Sequence, residues 1–458
     1  MKTLFTLSLM AIFTTAFAQQ TIHVPADYNL IQDAIEASVD SDTIIVAPGE
    51  YFENINFRGK AIFLTSMFHY SEDREDINNT IINGSTPLYP DTGSVVLFFN
   101  GETEASVLKG FKITGGTGTR TYNPNENLYF RTGGGIAISA ASPTIVYNII
   151  TNNESVNTEE VSGAGGGGIR VGNGNPVIRN NIISYNTGRY AGGMMIAFCS
   201  GMVLNNNVIA HNTAIGDFNG GGGLYIDWQP ISIINNTIVY NHSGDDGGGI
   251  IVTGTLATVK NCIFYGNTVD SQSPDIYLRY GGTANVTYSN IEAWTGWANI
   301  DTIPEFADTL EYMLQTTSPC IDAGSPLSEF NDPEDPMAPG MAQWPALGTI
   351  LNDMGAYGGP NAVPNPVITG NIEVTQNSPA SLIFSNPYKN NGLILNLEEN
   401  AWVEISLFSM DGKLIQQVTR ANYSCGSHYI NMDTTNAGKT ALLVLKAGNT
   451  VSTYKISF

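Results

Sequence analysis

The residues of this 458-residue chain best suited to chemistry lie in and beside a run of glycine-rich segments between positions 165 and 279. Asp227 closes Leu-Tyr-Ile-Asp, Arg279 closes Ile-Tyr-Leu-Arg, Asp245 and Asp246 stand directly before three glycines, and Asp217 stands shortly before another glycine run. An acid near an arginine suits proton abstraction from a sugar carbon in a polysaccharide lyase. Two carboxylates roughly 5–9.5 Å apart suit glycoside hydrolysis. Asp227, Arg279 and Asp245 are therefore the candidate catalytic residues. Calcium takes several oxygen ligands, which makes Asp217 and Asp246 the candidate metal ligands. Tyr225, Trp228, Phe198, Tyr277 and Arg170 surround them. Flat rings with sparse polar groups suit the faces of sugars, so these five are candidate contacts for a polysaccharide or surface glycan.

What must position these side chains is a repeat. Four segments open on glycine and close on Asn186, Asn212, Asn241 and Asn267, at steps of 26, 29 and 26 residues, and Asn153 ends an earlier copy. Short β-rich pieces with glycine clusters at this period indicate a β-solenoid, in which each turn buries its apolar side against its neighbours. Aligning the copies gives an inward column of Ile136, Ile169, Met195, Leu224, Ile250 and Ile276, and further columns through Ile145–Val259 and Ile150–Phe264. Asparagine columns through Asn148, Asn181, Asn207 and Asn236 (interrupted at Cys262, resumed at Asn290) and through Asn153–Asn267 mark the turns, where stacked amides satisfy turn backbone. The outward columns read Ala137, Arg170, Ile196, Tyr225, Ile251, Tyr277 and Ser139, Gly172, Phe198, Asp227, Thr253, Arg279, with Trp228 and Tyr280 beyond. Either these form a platform for a polymer or they pack beneath the loops that project from the glycine corners. Strands lie about 4.8 Å apart, which puts Asp227 and Arg279 about 10 Å apart. Tyr185, His211 and Tyr240 form another outward aromatic row.

Composition narrows the partners. Lys+Arg number 19 against 41 Asp+Glu, a net charge of −22. Such a surface repels nucleic acid and anionic membranes, and needs cations to hold a polyanionic glycan. Residues 1–18 read as a secretory signal peptide, with Lys2, an apolar stretch and Ala16-Phe17-Ala18 before Gln19. No other run is long and apolar enough for a membrane helix. The four cysteines show no paired spacing and read as structural thiols. The expected product is a monomer, secreted or held at the outer cell surface.

The segment from Thr21 to Ser66 resembles the entry to right-handed parallel β-helix proteins of the pectin-lyase-like class, through Ile31-Gln32, Ala34-Ile35, Asp42-Thr43, Val46, Pro48-Gly49, Tyr51 and Glu53. The helical spacing of Ile31, Ala34 and Ile35 predicts a capping helix over the open solenoid end. Gly49, Tyr51 and Glu53 are shared with pectin methylesterases, whose catalytic motifs have no counterpart downstream. The stretches around Ser318–Pro326 and Asn352–Pro360 resemble the ending common in secreted β-helix proteins. The last 80 residues resemble the type A C-terminal sorting domain of the Bacteroidetes type IX secretion system. The matching residues are Asn386-Pro387, Leu393/Leu395/Leu397, Met410-Asp411-Gly412-Lys413, Gly426, His428, Gly438 and Lys455-Ile456-Ser457. That resemblance implies export by the type IX machinery and says nothing about chemistry. The expected chain is all-β: a signal peptide (1–18), a right-handed parallel β-helix (19–300), a closing segment (301–360), a linker (361–378) and a small C-terminal β-sandwich (379–458).

Overall fold

In a computed structural model, the residues described are 19–123, 127–155, 164–215, 220–270, 275–294, 296–335 and 338–362, together with the strands and flanking residues of a C-terminal part (380–383, 393–397, 400–409, 414–430, 432, 440–447 and 450–457). The expected signal peptide, most of the expected linker and the turn at Asp411-Gly412 lie outside them. The chain divides into two units, residues 1–369 and 370–458.

The first unit is a parallel β-helix. One rung runs through Leu224–Asp227, Ile231–Ile234, Thr237–Val239 and His242–Ser243, then re-enters the first sheet at Ile250–Thr253. Stacked rungs give four parallel sheets with eight, ten, nine and five strands among the described residues. Every inward column lines one continuous core: Ile145, Ile178, Leu204, Ile233 and Val259 are wholly buried, as are Ile150, Ile183, Ile209 and Ile238. Burying each such side chain contributes about 1.5–3 kcal/mol, and no rung does so alone.

Asparagines tie the rungs together. Asn181 donates from Nδ2 to Ile145 O and Asn207 Oδ1, and its own Oδ1 accepts from the Asn148 amide; the pattern repeats rung by rung. This column continues through Cys262, Ser289 and Asn299. Asn290, expected in it, instead pairs with Ile263 on the third sheet, and its side chain holds Thr302. Serine supplies the same acceptor from one position earlier, which apolar spacing alone does not reveal.

The first inward column also needs a correction. Met194, not Met195, is inward: it pairs with Leu224, while Met195 pairs with Tyr225. Met194-Met195-Ile196-Ala197 is apolar throughout, so alternation carries no phase, whereas the preceding glycine does: the residue after Gly168, Gly193, Gly223 and Gly249 is inward each time.

The predicted cap is a helix at Ile31–Ala37, with Ile31, Ala34 and Ile35 buried. Its N-terminus is held by Glu53, whose two oxygens accept from the Ile31 and Gln32 amides at 2.8 and 2.9 Å. Tyr51 donates to Ala47 O. The Gly-x-Tyr-x-Glu piece is thus structural, a helix cap supplied from the first rung.

Residues 299–362 complete the last rung and then strap the outward side of the third sheet. Tyr312, Cys320, Met354, Ala356 and Tyr357 cover Ile182, Val208, Ala210, Val239 and Ile263. A second asparagine ladder receives the strap: Asn206 Nδ2 donates to Ala356 O and Gly358 O, Asn235 Nδ2 to Asp353 O, and Asn261 Oδ1 accepts from Ser325 N. Asn180, Asn206, Asn235 and Asn261 all sit at φ between 50° and 57°. Asparagine tolerates this left-handed corner better than other non-glycine residues.

The second unit is two antiparallel sheets of three and four strands packed on one core that includes Leu393, Leu395, Leu397, Val403, Ile405, Leu443 and Ile456. Ala401–Ser409 and Leu414–Tyr423, the strands flanking Asp411-Gly412, pair antiparallel.

Candidate functional site: the outer face and corner of the first sheet

In Leu224–Asp227 alternation sends Leu224 and Ile226 into the core and Tyr225 and Asp227 outward. The chain then turns through Trp228 at φ 62°, and the same corner is occupied by Ala140, Asn173, Phe198, Gly254 and Tyr280, all at positive φ. Phe198 thus belongs to the Trp228 column and Ala197 to that of Asp227, the same one-residue slip as at Met194.

The column of Tyr225 does not reach solvent. Tyr225 is 7% exposed and Ile251 is fully buried, and both pack with Ala191, Tyr190, Met195 and Tyr277 beneath the glycine corners. This is a satellite core, so Tyr225 presents no face to a ligand. Arg170 is half-buried, lies over Gly172 and donates to Val171 O. Burial works against its charge, and Asp227 works for it.

Asp227 is the distinctive group. Its Oδ1 is buried without a hydrogen-bond partner, and desolvation pushes its carboxyl up to about 6 against the opposing pull of Arg170. Thr253, one strand further along its column, is buried. Arg279 lies two strands away and turns elsewhere: its Nη2 donates to Tyr280 Oη at 2.8 Å, with the guanidinium 4.5 Å from that ring. Asp227 and Arg279 therefore form no ion pair. Asp246 and, more weakly, Asp245 act on the Tyr277 hydroxyl and raise it. Neither acid figures among the groups acting on Asp227, and Asp217 lies outside the described residues. Among the described residues no three His, Cys, Asp or Glu side chains are placed to hold a metal ion.

What the corner does offer is aromatic surface. Phe198 is 52%, Trp228 51% and Tyr280 69% exposed. Phe198 and Trp228 stand on adjacent rungs and Tyr280 two rungs on. Gly254 fills the gap: a Cβ there would sit 2.8 Å from the Trp228 ring, so glycine lets the indole lie flat over the next rung. The three rings thus follow the solenoid axis beside Arg279. The sequence placed Trp228 and Tyr280 in this strip, but only a positive-φ corner, marked by Gly254, aligns Phe198 with them.

Residues 148–292 match the family model described as a right handed beta helix region, in accord with the sheets above. The first unit is a right-handed parallel β-helix. No curated protein sequence matches it. Among solved structures it is similar to a pectate lyase, Pel9A, at a TM-score of 0.35 and 13% identity, over 74% of this chain and 96% of that one.

Proposed function

We propose that this β-helix is an extracellular polysaccharide-recognition protein whose binding platform is the corner row Phe198, Trp228 and Tyr280, flanked by Arg279. One observation carries the reading: three half- to two-thirds-exposed rings follow one edge of a rigid solenoid, at a spacing set by rungs about 4.8 Å apart. A soluble protein rarely leaves such rings aligned without a partner. A polymer lying along the axis meets one rung after another, and stacking of sugar faces on rings needs no induced fit. Arg279, already oriented by Tyr280, adds a donor for hydroxyl or carboxylate oxygens. Affinity electrophoresis through gels cast with different polysaccharides tests this. At least one polysaccharide retards the native protein, and the triple change Phe198→Ala, Trp228→Ala, Tyr280→Ala abolishes the retardation. Equal retardation of both proteins refutes the assignment.

The lyase reading is favoured by Asp227 alone. A carboxyl near 6 with an unpartnered oxygen beside Arg170 has the properties of a general base near neutral pH. It would take a proton from the carbon next to a uronate carboxyl while the glycosidic oxygen leaves and a double bond forms. Uronate polymers incubated with the protein, with and without calcium, then gain ultraviolet absorbance, and Asp227→Asn abolishes the gain. A flat trace removes this reading.

The export route rests on residues 1–18 and on the C-terminal unit, whose two-sheet fold accords with the sorting-domain resemblance. Among the described residues no helix is long and apolar enough to cross a membrane. In this reading the second unit addresses the protein to the type IX machinery, and deleting residues 379–458 leaves the β-helix in the periplasm; its arrival in the medium or at the surface without them contradicts the route.

A further inference from the structure

A second aromatic column lies at a different corner, between the third and fourth sheets. Tyr185, His211 and Tyr240 occupy it on successive rungs, each at φ 54°. Their rings are stacked nearly parallel, at 4.8 Å and 6° and then 5.4 Å and 12°. The buried Tyr312 of the strap braces the stack from the side, its hydroxyl 2.5 Å from His211 Nε2. In such a stack the middle ring spends both faces on its neighbours, while each outer ring keeps one. Beyond Tyr240 the column holds Gly266 (φ 64°), where a Cβ would stand 2.6 Å from the Tyr240 ring. Gly266 lies against one edge of that ring and, having no side chain, leaves the rest of the face uncovered.

The space so opened is a cavity of about 520 Å³. Tyr240 forms one wall, and Tyr265, at 89° to it and 6.0 Å away, forms another. Glu292, Asp301 and Thr302 line the rest. Asp301 is positioned by the Ala293 amide, which donates to its Oδ2 at 3.1 Å.

We propose that this hollow is a second glycan-binding site, taking one uncharged pyranose ring as the fourth member of the Tyr185–His211–Tyr240 stack. The ring lies face-on to Tyr240 and edge-on to Tyr265, and its hydroxyls donate to the carboxylates of Glu292 and Asp301. A flat ring is required by the parallel stack, and hydroxyl donors by the acceptor-rich rim. Two carboxylates in a chain of net charge −22 select against uronates and phosphates. This site is independent of the Phe198–Trp228–Tyr280 corner: it stands at another corner of the rung and shares no residue with it.

Calorimetric titration of the full chain carrying Phe198→Ala, Trp228→Ala and Tyr280→Ala isolates this hollow. The probes are gluco-, manno- and galacto-hexaoses, hexagalacturonate and choline. At least one neutral hexaose binds this variant. Adding Tyr240→Ala weakens it about tenfold, the worth of one stacked ring, and Tyr240→Phe leaves it within about twofold. Glu292→Gln with Asp301→Asn, at two exposed positions, also weakens it. The proposal is overturned if no neutral hexaose binds, if Tyr240→Ala or the carboxamide pair leaves affinity unchanged, if hexagalacturonate binds as well as the neutral sugars, or if choline alone binds.

Discussion

Removing one amide from the buried ladder, in Asn186→Ala, shows how far the platform depends on the stack beneath it. Asn186 is fully buried. Its Oδ1 accepts from Asn153 N at 3.1 Å and Asn153 Nδ2 at 3.0 Å, and its Nδ2 donates to Ile150 O at 2.9 Å and Asn212 Oδ1 at 3.0 Å. Alanine deletes all four bonds, but the consequences differ. Asn153 Nδ2 keeps Ile113 O and Thr151 O, and Asn212 Oδ1 keeps the Asn186 amide. The Asn153 backbone N–H keeps nothing. An orphaned buried donor costs about 1–3 kcal/mol, and each of the other lost bonds about 0.5–1.5 kcal/mol net, partly recovered by relaxation, for a total of about 3–5 kcal/mol. Asn186→Ser restores an acceptor, as Ser289 does for the Cys262 amide at 3.1 Å, and recovers about 1–3 kcal/mol of that loss. Urea unfolding followed by tryptophan fluorescence, with exposed Asn175→Ala as control, reads the difference from midpoints at a common slope. An Asn186→Ala loss within about 1 kcal/mol of the control, or no recovery in serine, refutes the ladder as a source of stability.

Tyr225→Ala behaves as a core truncation and costs about 3–5 kcal/mol in the same assay, while glycan retardation per folded molecule is unchanged. For Asp227, the folded carboxyl holds its proton to about pH 6, whereas the unfolded one releases it near 4. The folded state thus binds more protons between those values, and stability falls as pH rises through that window and stays low above it. Asp227→Asn therefore stabilises the protein at pH 8 and changes little at pH 4, as thermal melts at the two pH values will read. Asn235→Ala removes the donor to Asp353 O at 2.8 Å and an acceptor of the Asn352 amide, loosening the strap by about 2–3 kcal/mol. Limited proteolysis then cuts between 326 and 350 faster than in the native protein, while the capping helix at Ile31–Ala37 stays protected.

The solenoid was legible because its signals are redundant: each rung repeats an apolar alternation, a glycine corner and a closing asparagine. Where redundancy lapses, phase is lost, as in Met194–Ala197, where four apolar residues in a row hide which side faces in, and at Ser289, where a different residue type continues an asparagine column. The paired asparagines at 180–181, 206–207 and 235–236 show a further limit. The second of each pair was legible as an inward ladder, but the first gains its role only when the strap, distant in sequence, docks on it. The outward strip was legible as aromatic, yet exposure is a property of what covers a residue. Corner loops bury Tyr225 and leave Trp228 open, and alternation along the strand cannot distinguish them. Asp227 and Arg279 share a column, but Tyr280 claims the guanidinium, a choice made by side-chain reach rather than by spacing.

The platform itself is tested most directly by fluorine NMR of the full chain labelled with 5-fluorotryptophan, which places a reporter at each of its 5 tryptophans. Trp228→Phe identifies the Trp228 resonance by its disappearance. Titration with the polysaccharide that retards the protein shifts or broadens the Trp228 signal progressively and leaves that of Trp402, in the second unit, unmoved. A polysaccharide that binds without perturbing Trp228 would place recognition elsewhere and contradict the corner as the site.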